Sequence, residues 1–159
     1  MEFRELTRIR NALTGEECIE LLKKELRGVL SVNGDGGYPY GMPLNHWYCE
    51  KDGKLYFHSG KTGHKIDAML SDDRASYCVM DGGVRRDGEW PLHFRSVIVF
   101  GRLSIVEDHE KALEISRQLS NKFTSDQKYI EDEIRDHGHA VLCFSLTPEH
   151  ICGKKVEES

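Results

Sequence analysis

The chain has 159 residues, of which 38% are hydrophobic and 31% charged, and a formal net charge of −5. That is the length of one domain (1–159) with enough apolar sequence for a real core, and its acidic balance excludes a general nucleic-acid binder, which presents a basic face to phosphates. No run of about 18 apolar residues occurs, and Met1-Glu2-Phe3-Arg4-Glu5 lacks an apolar signal core, so no membrane association is expected and the cytoplasm is the expected location.

In chain order, Thr14-Gly15-Glu16-Glu17 is a capping box for a helix whose Ile19, Leu22 and Leu26 share one face, with Gly28 as its stop. Val29 to Val32 is a short strand, and Gly34-Asp35-Gly36-Gly37 is a turn. The returning arm, Tyr40 to Cys49, contains Pro43, which cannot donate to a ladder and marks an edge, a bulge or a place where a ligand replaces the neighbouring strand. Lys51-Asp52-Gly53-Lys54 turns the chain into the strand Leu55 to His58.

That strand runs into Ser59-Gly60-Lys61-Thr62-Gly63-His64-Lys65 and a helix opening at Ile66. Hydroxyls at Ser59 and Thr62, glycines that let backbone N–H groups approach a ligand, two lysines and a helix start together describe a phosphate cradle. The nucleotide-triphosphatase loop is excluded, because it needs a glycine five residues before Gly60 and Leu55 stands there. An ordinary strand–turn–helix junction with solvated lysines fits the same spacing.

Ala75 to Met80 is a further strand, and Asp81 to Gly88 reads as an exposed loop placed to act as a lid. Arg95 to Val106 is one long strand bent at a bulge at Gly101. Asp108 caps a helix striped by Ala112, Ile115, Leu119 and Phe123; a second helix runs from Ser125 to Arg135, and Ala140 to Leu146 is the sixth strand. Five cysteines without a C-x-x-C pair read as reduced, mostly buried thiols. No metal site is expected: Leu113 stands where the motif begun by His109-Glu110 needs a histidine, and His137-Gly138-His139 is a short pair. Six strands in an antiparallel meander with flanking helices predict an α+β, mainly β domain built on a small barrel, filled by side chains so that any ligand sits outside.

The series Gly41-Met42-Pro43-Leu44-Asn45, Leu55-Tyr56-Phe57-His58-Ser59, Gly63-His64-Lys65 and Ser96-Val97-Ile98-Val99-Phe100-Gly101 resembles the flavin-binding split barrels related to pyridoxamine phosphate oxidase, and within them the nitroimidazole-resistance proteins. The resemblance spans about Arg8 to Lys154. It implies a six-stranded split β-barrel, a homodimer and FMN at the subunit interface. Met42, Pro43, Leu44 and Asn45 would run along the flavin ring, His58 and Ser59 would lie at the ribityl and phosphate end or beneath the ring, and Ser59, Thr62, Gly63 and Lys65 would hold the phosphate. Ser96 would reach the cofactor from the same or the second subunit. His46-Trp47 departs from the pattern, in which a tyrosine is common after the asparagine, on the side facing a substrate.

The same resemblance implies that His58 is close to the reactive site. With a pKa near ~6.5 it could donate a proton to a nitro group, or it could only orient the phosphate. Three functions follow: an FMN-dependent oxidoreductase acting on a small molecule such as a nitroimidazole, a pyridoxamine-phosphate-type oxidase, or a non-catalytic flavin- or haem-binding protein. The second needs another basic pocket for a substrate phosphate, and the linear sequence does not reveal one.

Overall fold

The computed structural model describes residues 2–158, so Met1 and Ser159, the ends of the expected 1–159 domain, lie outside the described residues. The capping box forms as expected: Glu17 N donates to Thr14 Oγ1 at 3.1 Å, and Thr14 N donates to Glu17 Oε2 at 2.8 Å. It opens α1 (Gly15–Lys24), which buries Cys18, Leu21 and Leu22. The helix stops before the expected Gly28, because Glu25 is already extended. Gly28 lies inside the next strand, where a Cβ would stand 2.7 Å from the Tyr77 ring and 2.5 Å from the Cys78 carbonyl oxygen. Its role is close approach between strands.

The strands are β1 (Arg27–Asn33), β2 (Pro39–Asn45), β3 (Trp47–Cys49), β4 (Lys54–Gly60), β5 (Arg74–Met80), β6 (Val84–Arg85), β7 (Leu92–Ile105) and β8 (Val141–Glu158). Between them lie α2 (His64–Ser71), α3 (His109–Asn121) and α4 (Gln127–His137). Every pairing is antiparallel, in the order β2-β1-β5-β7-β8-β4-β3, with β6 joined to β7. The sheet therefore has eight strands where the sequence predicts six. The arm from Tyr40 to Cys49 divides at His46, whose buried ring pulls the chain out of line, and the expected lid loop contains the two-residue β6.

β7 and β8 form the long central ribbon. Their register shifts between Phe100 and Gly101, with Phe100 opposite His150 and Gly101 opposite Pro148, so the extra residue, Glu149, lies on β8. A Cβ on Gly101 would run into the Thr147 carbonyl oxygen, which is why the bend requires glycine there. The last strand extends well past the expected Leu146 and begins at Val141, Ala140 being the end of a 3₁₀ turn. In the helical region Asp108 caps α3 as expected, but Phe123 lies past the helix end, half exposed, and Asp126 caps α4.

The sheet curls around a core of alternating inward residues, and Phe57 stacks on Phe144 at 5.1 Å and meets the edge of Tyr77 at 5.0 Å. Each such buried aromatic contributes about 1.5–3 kcal/mol relative to exposure. A second, smaller cluster sits under α3 around Cys49, Tyr56, Ile115, Leu119 and Cys143. The two ends of the sheet, β2 and the β3–β4 pair, approach each other without pairing in a ladder, so the barrel is split along that seam. No helix among the described residues is long and apolar enough to cross a membrane.

Candidate functional site

The seam holds a cleft of about 260 Å³ lined by Arg27, Pro43, Leu44, Asn45 and His58. One wall is the edge strand β2. Proline fits an edge strand where its missing N–H faces away from the neighbour. Pro43 sits opposite Val29 of β1, so alternation turns the backbone groups of Gly41 and Asn45, like the Pro43 carbonyl, to the unpaired side. Met42, one residue out of phase, is buried in the core and turns its backbone groups to Leu30 of β1, so the contact expected of it along the seam is not available. Arg27 Nε donates to Asn45 Oδ1 at 2.9 Å and fixes the asparagine at the cleft.

Behind β2 stands a buried polar lock. His46, fully buried, has Nε2 at 2.6 Å from the Leu22 carbonyl oxygen and Nδ1 at 2.9 Å from the Tyr77 hydroxyl. The Tyr77 hydroxyl also lies 2.7 Å from the Leu44 carbonyl. Burial first, and the nearby Lys122 charge second, lower the His46 pKa to about 4, so the ring is neutral at pH 7. Neutral His46 donates from Nε2 to Leu22, which leaves the single Tyr77 proton shared between Nδ1 and the Leu44 carbonyl. Lys122 Nζ donates to the carbonyls of Glu25 at 2.6 Å and His46 at 2.7 Å, and burial lowers its own pKa to about 8. The departure expected to alter the substrate-facing surface is thus a core histidine that positions the end of β2.

The opposite wall carries His58, on β4 opposite Cys143 of β8. Its ring is exposed at the mouth of the cleft but crowded by protein. The resulting loss of hydration, and secondly the charge of Lys65, hold its pKa below the usual histidine value. Among the described residues its ring makes no hydrogen bond with the protein, so both nitrogens remain available to a ligand.

The cradle continues from that wall. Ser59 Oγ donates to the Gly60 carbonyl at 2.8 Å, and Thr62 is exposed in the turn. Gly63 takes φ +125° just before α2, with no atom within 4 Å of where a Cβ would stand and no side-chain cap on the helix. A side-chain-free N-cap leaves the first-turn amides open to an anion, and Lys65, half-buried in that turn, adds a full charge. Ile66, Ala68 and Met69 bury the other face of α2 and fix its aim. His64 stacks on Tyr40 of β2 at 4.1 Å, with Nε2 at 3.6 Å from Asp35 Oδ2. From Asn45 back to Tyr40 the edge strand covers about 17 Å at ~3.4 Å per residue, so the cleft lies at one end of β2 and the start of α2 at the other.

Ser96 lies elsewhere. It sits on β7 opposite Met80 and Lys154, three strand spacings or about 14 Å from β2, and does not line the cleft. Arg27 and Tyr77 escape sequence reading, since neither belongs to a motif and only the β1–β2 and β1–β5 registers bring them to Asn45 and Leu44. Among the described residues no cluster of three or more His, Cys, Asp or Glu is placed to hold a metal ion. The donor set suits a flavin instead: an edge of free backbone groups, an imidazole, and a glycine–lysine anion cradle in a row.

A family model described as pyridoxamine 5'-phosphate oxidase matches residues 14–155. Solved structures share the fold. A putative 5-nitroimidazole antibiotic resistance protein from Bacteroides thetaiotaomicron superposes with a TM-score of 0.75 at 18% identity, covering 92% of this chain and 87% of its own. A FAD-binding protein from Mesorhizobium loti gives 0.65 at 24% identity, covering 91% and 96%. A conserved hypothetical protein from Mycobacterium tuberculosis gives 0.77 at 17%, covering 94% and 90%. No curated protein matches the sequence.

Proposed function

The chain belongs to the pyridoxamine 5'-phosphate oxidase family of flavin-binding proteins, and we propose that it is a homodimeric, FMN-dependent oxidoreductase acting on small nitro compounds of the nitroimidazole type. The observation that carries this reading is the cleft at Pro43, Asn45 and His58, with the uncapped α2 start at Gly63 and Lys65 following on the same wall. The Gly41, Pro43 and Asn45 backbone groups would hold the ring edge, and Ser59, Thr62, the first-turn amides of α2 and Lys65 the phosphate. The His64–Tyr40 stack and the exposed Asp35 carboxylate stand at the far end of the cradle. A flavin bound there supplies two-electron transfer between a reduced donor and the substrate.

His58 is the residue placed to touch that chemistry. Neutral at pH 7, its imidazole would donate a hydrogen bond into the cleft, and a phosphate that offsets the Lys65 charge would raise its pKa back toward the usual value. The nitro class comes from the resistance protein from Bacteroides, whose fold this chain shares.

The dimer is supported by the outward face of the sheet. Val29, Cys78, Ile98 and Cys152 form one cross-strand row, flanked by Met80, 55% exposed, and Ser96. Burying about 2,000 Å² there would cover an otherwise wet apolar stripe and bring Ser96 to the partner's cofactor. Five unpaired cysteines fit the proposed cytoplasmic location.

The test is purification of the coloured protein, identification of the released flavin, and steady turnover of a 5-nitroimidazole with a reduced nicotinamide donor. FMN at one per subunit with turnover upholds the reading. FMN without turnover leaves a flavin store, and a colourless protein that takes up no FMN overturns it.

A further inference from the structure

The first residues of the chain and its last strand meet in a second, separate groove. A 3₁₀ turn, Ile9–Asn11, is pinned to β8 by the Ala12–Lys154 bridge and by Leu13 N donating to the Gly153 carbonyl at 2.8 Å. Between this turn and the end of β8 lies a groove of about 710 Å³, walled by Leu6 to Arg8, Arg10, Asn11 and Lys154 to Glu157. It carries four cations, Arg8, Arg10, Lys154 and Lys155, against one carboxylate in a chain of net charge −5.

The charges do not cancel one another. Lys155 pairs with Glu17 at 3.2 Å, outside the groove lining, and Glu157 Oε1 turns to His93 Nδ1 at 3.6 Å. Arg8, Arg10 and Lys154 have no acidic partner within 4 Å and no side-chain hydrogen bond among the described residues, and neither has the Asn11 amide. Two planar guanidinium forks, one ammonium and an amide facing a pocket of ligand size form a recognition set for a multiply charged phosphate ester. The volume exceeds what an inorganic anion fills, and Leu6 and Val156 supply apolar wall for an organic group.

We propose that this groove binds an organic diphosphate, of the size and charge of a nucleoside diphosphate, with the diphosphate between Arg8, Arg10 and Lys154. The site shares no residue with the flavin seam, so it stands whether or not the oxidoreductase reading does.

The experiment is calorimetric titration of the protein as purified, with bound cofactor, using ADP, pyrophosphate and adenosine as probes. ADP is expected to bind saturably, several-fold tighter than pyrophosphate, with adenosine silent. Removing one charge-assisted contact in Arg10→Gln or Lys154→Gln should weaken ADP by about tenfold, while Arg10→Lys keeps part of the affinity. With FMN in saturating excess so that the cradle stays filled, Lys65→Met should leave ADP binding unchanged, which separates this site from the cradle. Absence of saturable binding, equal affinity for ADP and pyrophosphate, indifference to the Arg10→Gln/Lys154→Gln pair, or displacement of flavin by ADP would each overturn the assignment.

Discussion

Two histidines stand on either side of the seam, and both have lowered pKa values with burial as the first cause. They do opposite things. His46 has both ring nitrogens engaged by protein and is fully enclosed, so its lost hydration is matched by fixed bonds that hold β2 in place. His58 lies at the surface with no side-chain hydrogen bond among the described residues, so its lost hydration leaves an imidazole ready for an incoming group. A depressed pKa thus marks a structural residue in one case and an available one in the other, and hydrogen-bond satisfaction distinguishes them.

The sharpest way to break the comparison is to replace His46. His46→Leu strands the Leu22 carbonyl and leaves the Tyr77 hydroxyl one acceptor fewer, so a loss of about 2–4 kcal/mol in urea unfolding is expected. His58→Ala should cost well under ~1 kcal/mol, as surface substitutions do. Equal losses would show that the two sites are not different in kind.

Acid separates them too. His46 titrates at about 4 in the folded chain and near ~6.5 unfolded, so the unfolded state binds more protons between those values. Stability from this residue is present above pH ~6.5 and is lost as pH falls toward about 4, with a full loss of roughly 3 kcal/mol. His46→Gln should flatten that part of the stability–pH curve; an unchanged slope would assign the acid sensitivity to other groups.

On the ligand side, Lys65→Met is expected to weaken FMN by one to two decades, the worth of a charge-assisted contact of about 1.5–3 kcal/mol, and to spare riboflavin, which has no phosphate. Lys61, exposed in the turn, should matter less. Equal loss for both flavins in Lys65→Met, or a larger FMN-specific loss in Lys61→Met, would move the phosphate away from the α2 start. The smallest binding effect is expected for His58→Ala, which should retain most FMN affinity while changing the rate at which the reduced protein reacts with a nitroimidazole. Unchanged reactivity at full occupancy would leave His58 no chemical role.

Much of this was legible in the sequence because it is local. The Thr14 and Asp108 caps and the strand running into the Ser59 to Lys65 turn rest on interactions within a few residues, so the chain itself dictates them, while Pro43 and Gly101 mark an edge and a bend by the contacts that they cannot make. The errors came where local signals compete. Gly28 reads as a helix stop by composition, yet Tyr77, 49 positions on, requires the missing side chain. The arm from Tyr40 to Cys49 reads as one strand until His46 finds Leu22 and Tyr77 as partners and divides it. Arg27 at Asn45, Tyr77 at Leu44 and the meeting of Arg8 and Arg10 with Lys154 depend on strand register and on the return of β8 past the N-terminal turn. Such contacts join residues far apart in the chain, and the closure that brings them together is decided by the packing of the whole sheet. The sequence by itself determined most of the elements and the glycine- and lysine-bearing strand–turn–helix junction from Ser59 to Lys65; the tertiary structure decided which histidine is core and which faces the cleft, and gathered a second basic groove from residues far apart in the chain.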